Sequence, residues 1–386
     1  MHLIAEQPLM QPATPPTDPA ARPAFPREAH RLRALVNVGQ WLDRIDPGVH
    51  RRIKGLRLVT AYGIAAMLGT MPEIARAVPH ASSLSSIAAG FALWASVSEG
   101  QATRIKSSRD LLVLNAAAVV GAVIMIGLAP ILTGAGRPGP ELALVGGAFL
   151  VGYLKRFGIL GGGIGSQIYI GQLLAYGARL TSADLAMVVV AGMIGALACI
   201  VPRVLSGPAE LPALTPALGV PTSDPRGLSP ELRMGLQASL AALVIVALNQ
   251  GVHLVESAWA ITAATYVVAG SASGTIDRVR RRIIGTIVGV PLALACLPLV
   301  VHAPLVIWTM AALAMVVYAM ALPDRYDIAC GAYAFTLLVT LALTGEHSLP
   351  LLFARAWETV IGGVLGLLAA LFIFPLKQAR QSKWVS

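Results

Sequence analysis

Apolar residues dominate the chain in runs, and the polar residues gather between them. Six runs come first, at roughly 56–72, 82–98, 111–133, 141–154, 158–178 and 183–205. A break rich in proline follows at 206–230, SGPAELPALTPALGVPTSDPRGLSP. Six more runs lie at 232–250, 257–273, 283–301, 304–322, 327–344 and 350–375. Most approach the roughly 20 apolar residues that a helix needs to cross a bilayer. The pattern predicts an all-α, polytopic membrane protein of about 12 transmembrane helices, in two six-helix units at 56–205 and 231–376. The proline-rich stretch between them reads as a linker. Residues 1–55 read as a disordered tail, with seven prolines in residues 1–26, followed by a basic amphipathic segment that includes Leu32, Leu35, Val36, Val38, Trp41 and Leu42. A solvated segment before the membrane reads equally well there. Residues 377–386 read as a basic tail.

The two units look like one pattern written twice. Leu56–Arg57 opens the first and Leu232–Arg233 the second. Each second run is followed by basic residues: Arg104, Lys106 and Arg109, then Arg278, Arg280, Arg281 and Arg282. Each fourth run ends on an arginine and an aromatic residue, Arg156–Phe157 and Arg325–Tyr326. An even number of spans per unit makes the units parallel, related by an axis along the membrane normal.

Composition sharpens this picture. Hydrophobic residues make up 56% and charged ones 12%. That is about half the charged fraction of a soluble domain, roughly 25%. The net charge of +10 would suggest nucleic acid in a soluble protein. Here it has a topological explanation. With the N-terminus inside, 25 of the 29 basic residues fall on the inner side and three outside, with Arg355 inside a span. The positive-inside rule then predicts both termini, the linker and both tails in the cytoplasm. His80, His253, His302 and His347 fall on the outer side. Cys199, Cys296 and Cys330 lie within apolar runs and form neither a disulfide framework nor a metal-ligand spacing. No metal, cofactor or nucleic acid is implied. The absence of G-x-x-x-x-G-K-[ST] excludes a nucleotide-driven pump. An intramembrane protease is not supported either: GSASG at 270–274 lacks the nucleophile spacing, and the histidines lie on the other side.

Residues 259–290 read WAITAATYVVAGSASGTIDRVRRRIIGTIVGV. This resembles the fusaric acid resistance, or aromatic acid exporter, family of inner-membrane transporters. Trp259, Thr262, Thr275, Arg282, Gly285, Thr286 and Gly289 carry the likeness, together with Arg355, Gly362, Gly366 and Pro375. The first unit lacks the Gly-Thr step, and the large cytoplasmic domain of many family members has only the linker in its place. The resemblance implies a non-enzymatic, multi-pass transporter of the bacterial inner membrane that exports organic acids. The partners are a small-molecule organic anion and the lipid bilayer; self-association and a periplasmic adaptor protein are left open. Arginines would hold a carboxylate, aromatics a ring, and a titrating carboxylate would couple export to protons. A passive organic-anion channel between the two units is the alternative.

Ionisable residues inside spans are costly and so are the first candidates for function. Arg355 and Glu358 lie three apart on one helix face. They read as an anion site with a titratable carboxylate, or as a structural ion pair. Arg325 with Asp324, Tyr326 and Asp327, and Lys155 with Arg156, would form a positive vestibule or simply obey topology. Arg282 is the arginine of the basic quartet that belongs to the Gly-Thr motif. The fifth run holds Gly161–Gly162–Gly163 and Gly165, then Gln167, Tyr169 and Gln172; with Tyr333 of the eleventh these could line a ring-binding cavity, or the glycines could serve close packing. Gly285-x-x-x-Gly289 and Gly362-x-x-x-Gly366 mark close helix contacts.

Overall fold

The computed structural model describes residues 46, 49–79, 81–100, 103–206, 228–254, 257–343 and 349–375; side chains of 349–353, 355 and 356 are not described. The expected tail at 1–45, most of the linker, the basic C-terminal segment, His80 and His347 lie outside the described residues. Twelve α-helices of eleven residues or more lie among them: α1 (His50–Thr70), α2 (Leu84–Ser98), α3 (Arg104–Leu132), α4 (Leu142–Tyr153), α5 (Gly158–Gly177), α6 (Leu185–Leu205), α7 (Pro230–Val252), α8 (Ser257–Val267), α9 (Ala272–His302), α10 (Pro304–Ala321), α11 (Tyr326–Leu343) and α12 (Leu349–Phe372). The chain is an all-α, multi-pass membrane protein. A lipid-facing exterior explains why Ile105, Val301, Leu305 and Phe372 stand largely exposed.

Eight stretches among the described residues are long and apolar enough to cross a bilayer, not twelve. The shortfall has local causes. α4 and α5 run on through a 3-10 turn and form one apolar stretch, Leu142–Gly177. Gly158, at φ +77°, takes a backbone conformation that few side chains tolerate and starts α5 in a new direction. α8 has only 11 residues, and α1 spends its first two turns on Arg51, Arg52, Lys54 and Arg57.

The segments expected to be basic loops are largely helical. α3 begins at Arg104 and α9 at Ala272, so Lys106, Arg109, Arg278, Arg280, Arg281 and Arg282 sit on helices. Their 29 and 31 residues give lengths of about 45 Å, against about 30 Å of bilayer hydrocarbon. Arginine and lysine are good helix formers, so a helix leaving the bilayer continues through them. Ser271 caps α9 by accepting the Gly274 N–H at 3.1 Å. The boundary expected at 55/56 likewise falls inside α1.

Packing partners recur with a shift of six helices. α1 packs on α2 and α6, as α7 packs on α8 and α12. α6 also meets α2 and α3, and α12 meets α8 and α9. α5 lies against α3 and α4, and α11 against α9 and α10. The two halves join through α4 on α7 and through α10 on α1. Glycine brings the tightest pairs together. A side chain on Gly121 would strike the Ile168 carbonyl, and one on Gly171 that of Ala118, in the α3–α5 seam. In the α9–α11 seam Gly285 faces the Asp327 carbonyl and Gly289 that of Gly331. Gly362 and Gly366 bring α12 against the Ala260 and Ala264 backbone of α8. Such contacts hold helices together where lipid leaves little hydrophobic driving force.

Candidate functional site

A cavity of about 2820 Å³ opens where helices of both halves meet. α9 lines it with Asp277, Arg278, Arg281 and Arg282. On one helix these arginines fall at i, i+3 and i+4, so they share a face. Arg280 falls off that face and is exposed. The turn before α5 adds Lys155, α1 adds Arg51, and the segment before α11 adds Asp324.

Two ion pairs order this end. Arg51 Nη1 lies 2.6 Å from the Asp324 carboxylate, joining α1 to the α10–α11 turn. Arg281 pairs with Asp277 one helical turn away at 2.8 Å and donates to the Asp324 carbonyl at 3.0 Å. Lys155 and Arg278 also line an annex of about 240 Å³, with Ser98, Ser166 and Tyr266. Arg278 donates to the Val268 carbonyl at 3.3 Å. Arg282 sits beside Tyr326 and Cys330, and its Nε is buried without a hydrogen-bond partner.

Aromatic rings line the cavity beyond the cations. Trp94, Tyr318 and Tyr333 come from α2, α10 and α11 and form a triad. Trp94 meets Tyr333 at 5.5 Å and Tyr318 at 6.4 Å, both edge-to-face, and the two tyrosines stand 6.1 Å apart. Such rings offer apolar faces against which a planar group can pack. Tyr266 lines the cavity too, 2.7 Å from the Ser166 hydroxyl. Ser98 lies one turn after Trp94 on α2, about 6 Å along the axis. It joins the aromatic and cationic regions.

The residues singled out from sequence divide. Arg282, Tyr333, Trp259 and Thr286 line the cavity, as do Lys155, Asp324 and Tyr326 of the expected vestibule. Gly285 and Gly289 lie in the α9–α11 seam instead. Arg156 is not among the lining residues: it donates to the Tyr153 hydroxyl at 2.7 Å and stacks on Phe157. Arg325 is exposed and bound to Asp327 at 3.1 Å. The carboxylate beside it raises the guanidinium above its ordinary value, so Arg325 stays charged.

Gln167, Tyr169 and Gln172 are buried between helices and do not line the cavity. Gln167 Nε2 donates to Ser98 Oγ at 3.1 Å, Tyr169 and Thr262 hydroxyls stand 2.8 Å apart, and Gln172 Nε2 donates to the Ala143 carbonyl at 3.2 Å. The cavity face of α5 carries Ser166, Ile170 and Leu173. Glu358 is fully buried, and the next residue, Thr359, reaches the cavity. The Arg355 side chain lies outside the described residues, so its pairing with Glu358 remains an expectation.

Trp94, Tyr318 and Tyr266 carried no signal as isolated residues, and Arg278 entered only as one of a basic quartet. The Arg278–Arg282 pair was visible as an i, i+4 spacing once the segment is taken as helix.

Residues 240–369, from within α7 to within α12, match a family model described as fusaric acid resistance protein-like. No curated protein and no solved structure matches the chain. The matched segment includes Arg278, Arg282, Tyr318 and Tyr333 of the cavity wall. The likeness to the fusaric acid resistance protein-like family thus extends over residues 240–369 of the chain.

Proposed function

We propose that the protein is a proton-coupled exporter of aromatic or other amphipathic organic acids. It works as two parallel six-helix units in a bacterial inner membrane, with both termini cytoplasmic. The observation that carries the reading is the shared cavity, in which cations of α9 and the α4–α5 turn face the Trp94–Tyr318–Tyr333 triad. A guanidinium in a wall of low dielectric attracts a carboxylate far more strongly than in water. The rings would take the apolar body, and no covalent chemistry is required of any residue. The recurrence of packing partners after six helices supports the two-unit description. The basic end, where Arg51, Lys155 and Arg278–Arg282 converge, would be the cytoplasmic mouth, where such a field concentrates organic anions before export. Glu358, buried beside Thr359, is the carboxylate proposed to carry the proton.

Arg282 and Arg156 test the placement against each other. In proteoliposomes, Arg282→Gln is expected to lower flux of a labelled aromatic acid by about tenfold or more, the effect of losing one charge-assisted contact. Arg156→Gln is expected to stay within about twofold, since a surface contact of this kind contributes little. Equal effects of the two substitutions would contradict the assigned path. Single-channel conductance without proton coupling would favour the passive channel instead.

A further inference from the structure

The charge count at the basic end goes beyond what one carboxylate requires. Among the described residues, five cations line it: Arg51, Lys155, Arg278, Arg281 and Arg282. Three carboxylates face them: Glu231, Asp277 and Asp324. Asp324 is taken by Arg51 and Asp277 by Arg281. Glu231, at the first turn of α7, is in ion-pair contact with none of the remaining cations. Even counting Glu231, two positive charges are left in excess. Arg179 also lines the cavity, but it follows α5 whereas Lys155 precedes it. A 20-residue helix, about 30 Å, separates them.

The geometry adds to the arithmetic. Lys155 from the first half and Arg278 from the second share the annex, where Ser98 and Tyr266 supply hydroxyls. Ser98 Oγ accepts its hydrogen bond from Gln167, which leaves its own proton to donate. Arg282, one turn beyond Arg278, has an Nε–H that nothing among the described residues accepts. A buried donor without an acceptor is destabilising, and a ligand oxygen would relieve it.

We propose that this end of the cavity is a subsite for a doubly charged headgroup. The favoured solute is then a ring-bearing dianion, a dicarboxylate or a phosphomonoester, rather than a monocarboxylate. The proposal rests on the organic-anion reading and narrows it. The headgroup would lie between Lys155, Arg278 and Arg282, and the ring would extend past Ser98 toward Trp94. The excess charge is matched only when both negative charges enter, because unlike charges within a few ångströms in a poorly screened site attract strongly.

Isothermal titration of the purified protein in lipid nanodiscs at pH 7 tests it, with benzoate, phthalate and phenyl phosphate as probes. Phthalate or phenyl phosphate is expected to bind at least about tenfold more tightly than benzoate, and the better of the two identifies the headgroup chemistry. The Lys155→Met/Arg278→Met variant, checked for an unchanged thermal unfolding profile, is expected to lose that preference, while Arg278→Lys keeps most of it. Benzoate binding as tightly as both dianions would overturn the inference and leave the organic-anion reading standing. A preference that survives in the double variant would overturn the assignment to these residues. Binding of none of the three would overturn both readings together.

Discussion

Gly289→Val is expected to prevent most of the protein from accumulating in folded form. The cause is backbone, not side chain. A Cβ at Gly289 would overlap the carbonyl group of Gly331, so α9 and α11 must separate before the branched side chain fits. Overpacking costs about 1–3 kcal/mol where neighbours can yield, and more where they cannot. At about 3 kcal/mol the folding equilibrium shifts by roughly a hundredfold. The same pair of helices carries Tyr326 and Tyr333 on α11 beside Arg282 on α9. Any fraction that folds should therefore bind solute poorly. Gly171→Val should behave alike, since its Cβ would meet the Ala118 carbonyl in the equivalent α3–α5 seam. Gly127→Val and Gly146→Val are the controls: nothing lies within 4 Å of a Cβ at either position. Detergent-solubilised size exclusion distinguishes the outcomes. A monodisperse Gly289→Val protein at wild-type yield would contradict the close α9–α11 contact.

Glu358→Gln is expected to abolish accumulation driven by a proton gradient while sparing passive exchange. Glu358 is fully buried in α12, where an ionised carboxylate is costly, and glutamine keeps its shape but cannot titrate. If this carboxylate carries the coupling proton, gradient-driven accumulation should fall by about thirtyfold or more, as expected for loss of a proton-transfer group. Exchange of labelled for unlabelled acid across the same membrane should stay within about threefold. A variant that accumulates solute normally would show that Glu358 is structural. Loss of both activities, with Arg355→Ala giving the same result, would point to a structural ion pair between the two.

Much of the architecture was legible because lipid imposes a simple rule. Apolar runs had to be helices, and the break at 206–230 falls between α6 and α7. The Gly285–Gly289 and Gly362–Gly366 spacings announced close contacts that the backbone makes. Other features were hidden for physical reasons. Charged residues at 104–109 and 278–282 resemble loop composition, yet α3 and α9 run through them. Along α5, polar residues at 166, 167, 169 and 172 are spread around the helix. Periodicity alone could not say that Ser166 meets the cavity while Gln167 ties α5 to Ser98. The triad of Trp94, Tyr318 and Tyr333 joins residues more than 200 positions apart. Only packing of the first half against the second, through α1 and α10, brings them together.

The central claim is that an aromatic organic acid moves through this cavity at the expense of a proton gradient. It is tested most directly with wild-type protein in proteoliposomes, by following a labelled aromatic acid after a pH gradient is imposed. The account predicts accumulation beyond equilibrium that collapses on adding a protonophore. Movement no faster than in protein-free liposomes would contradict it.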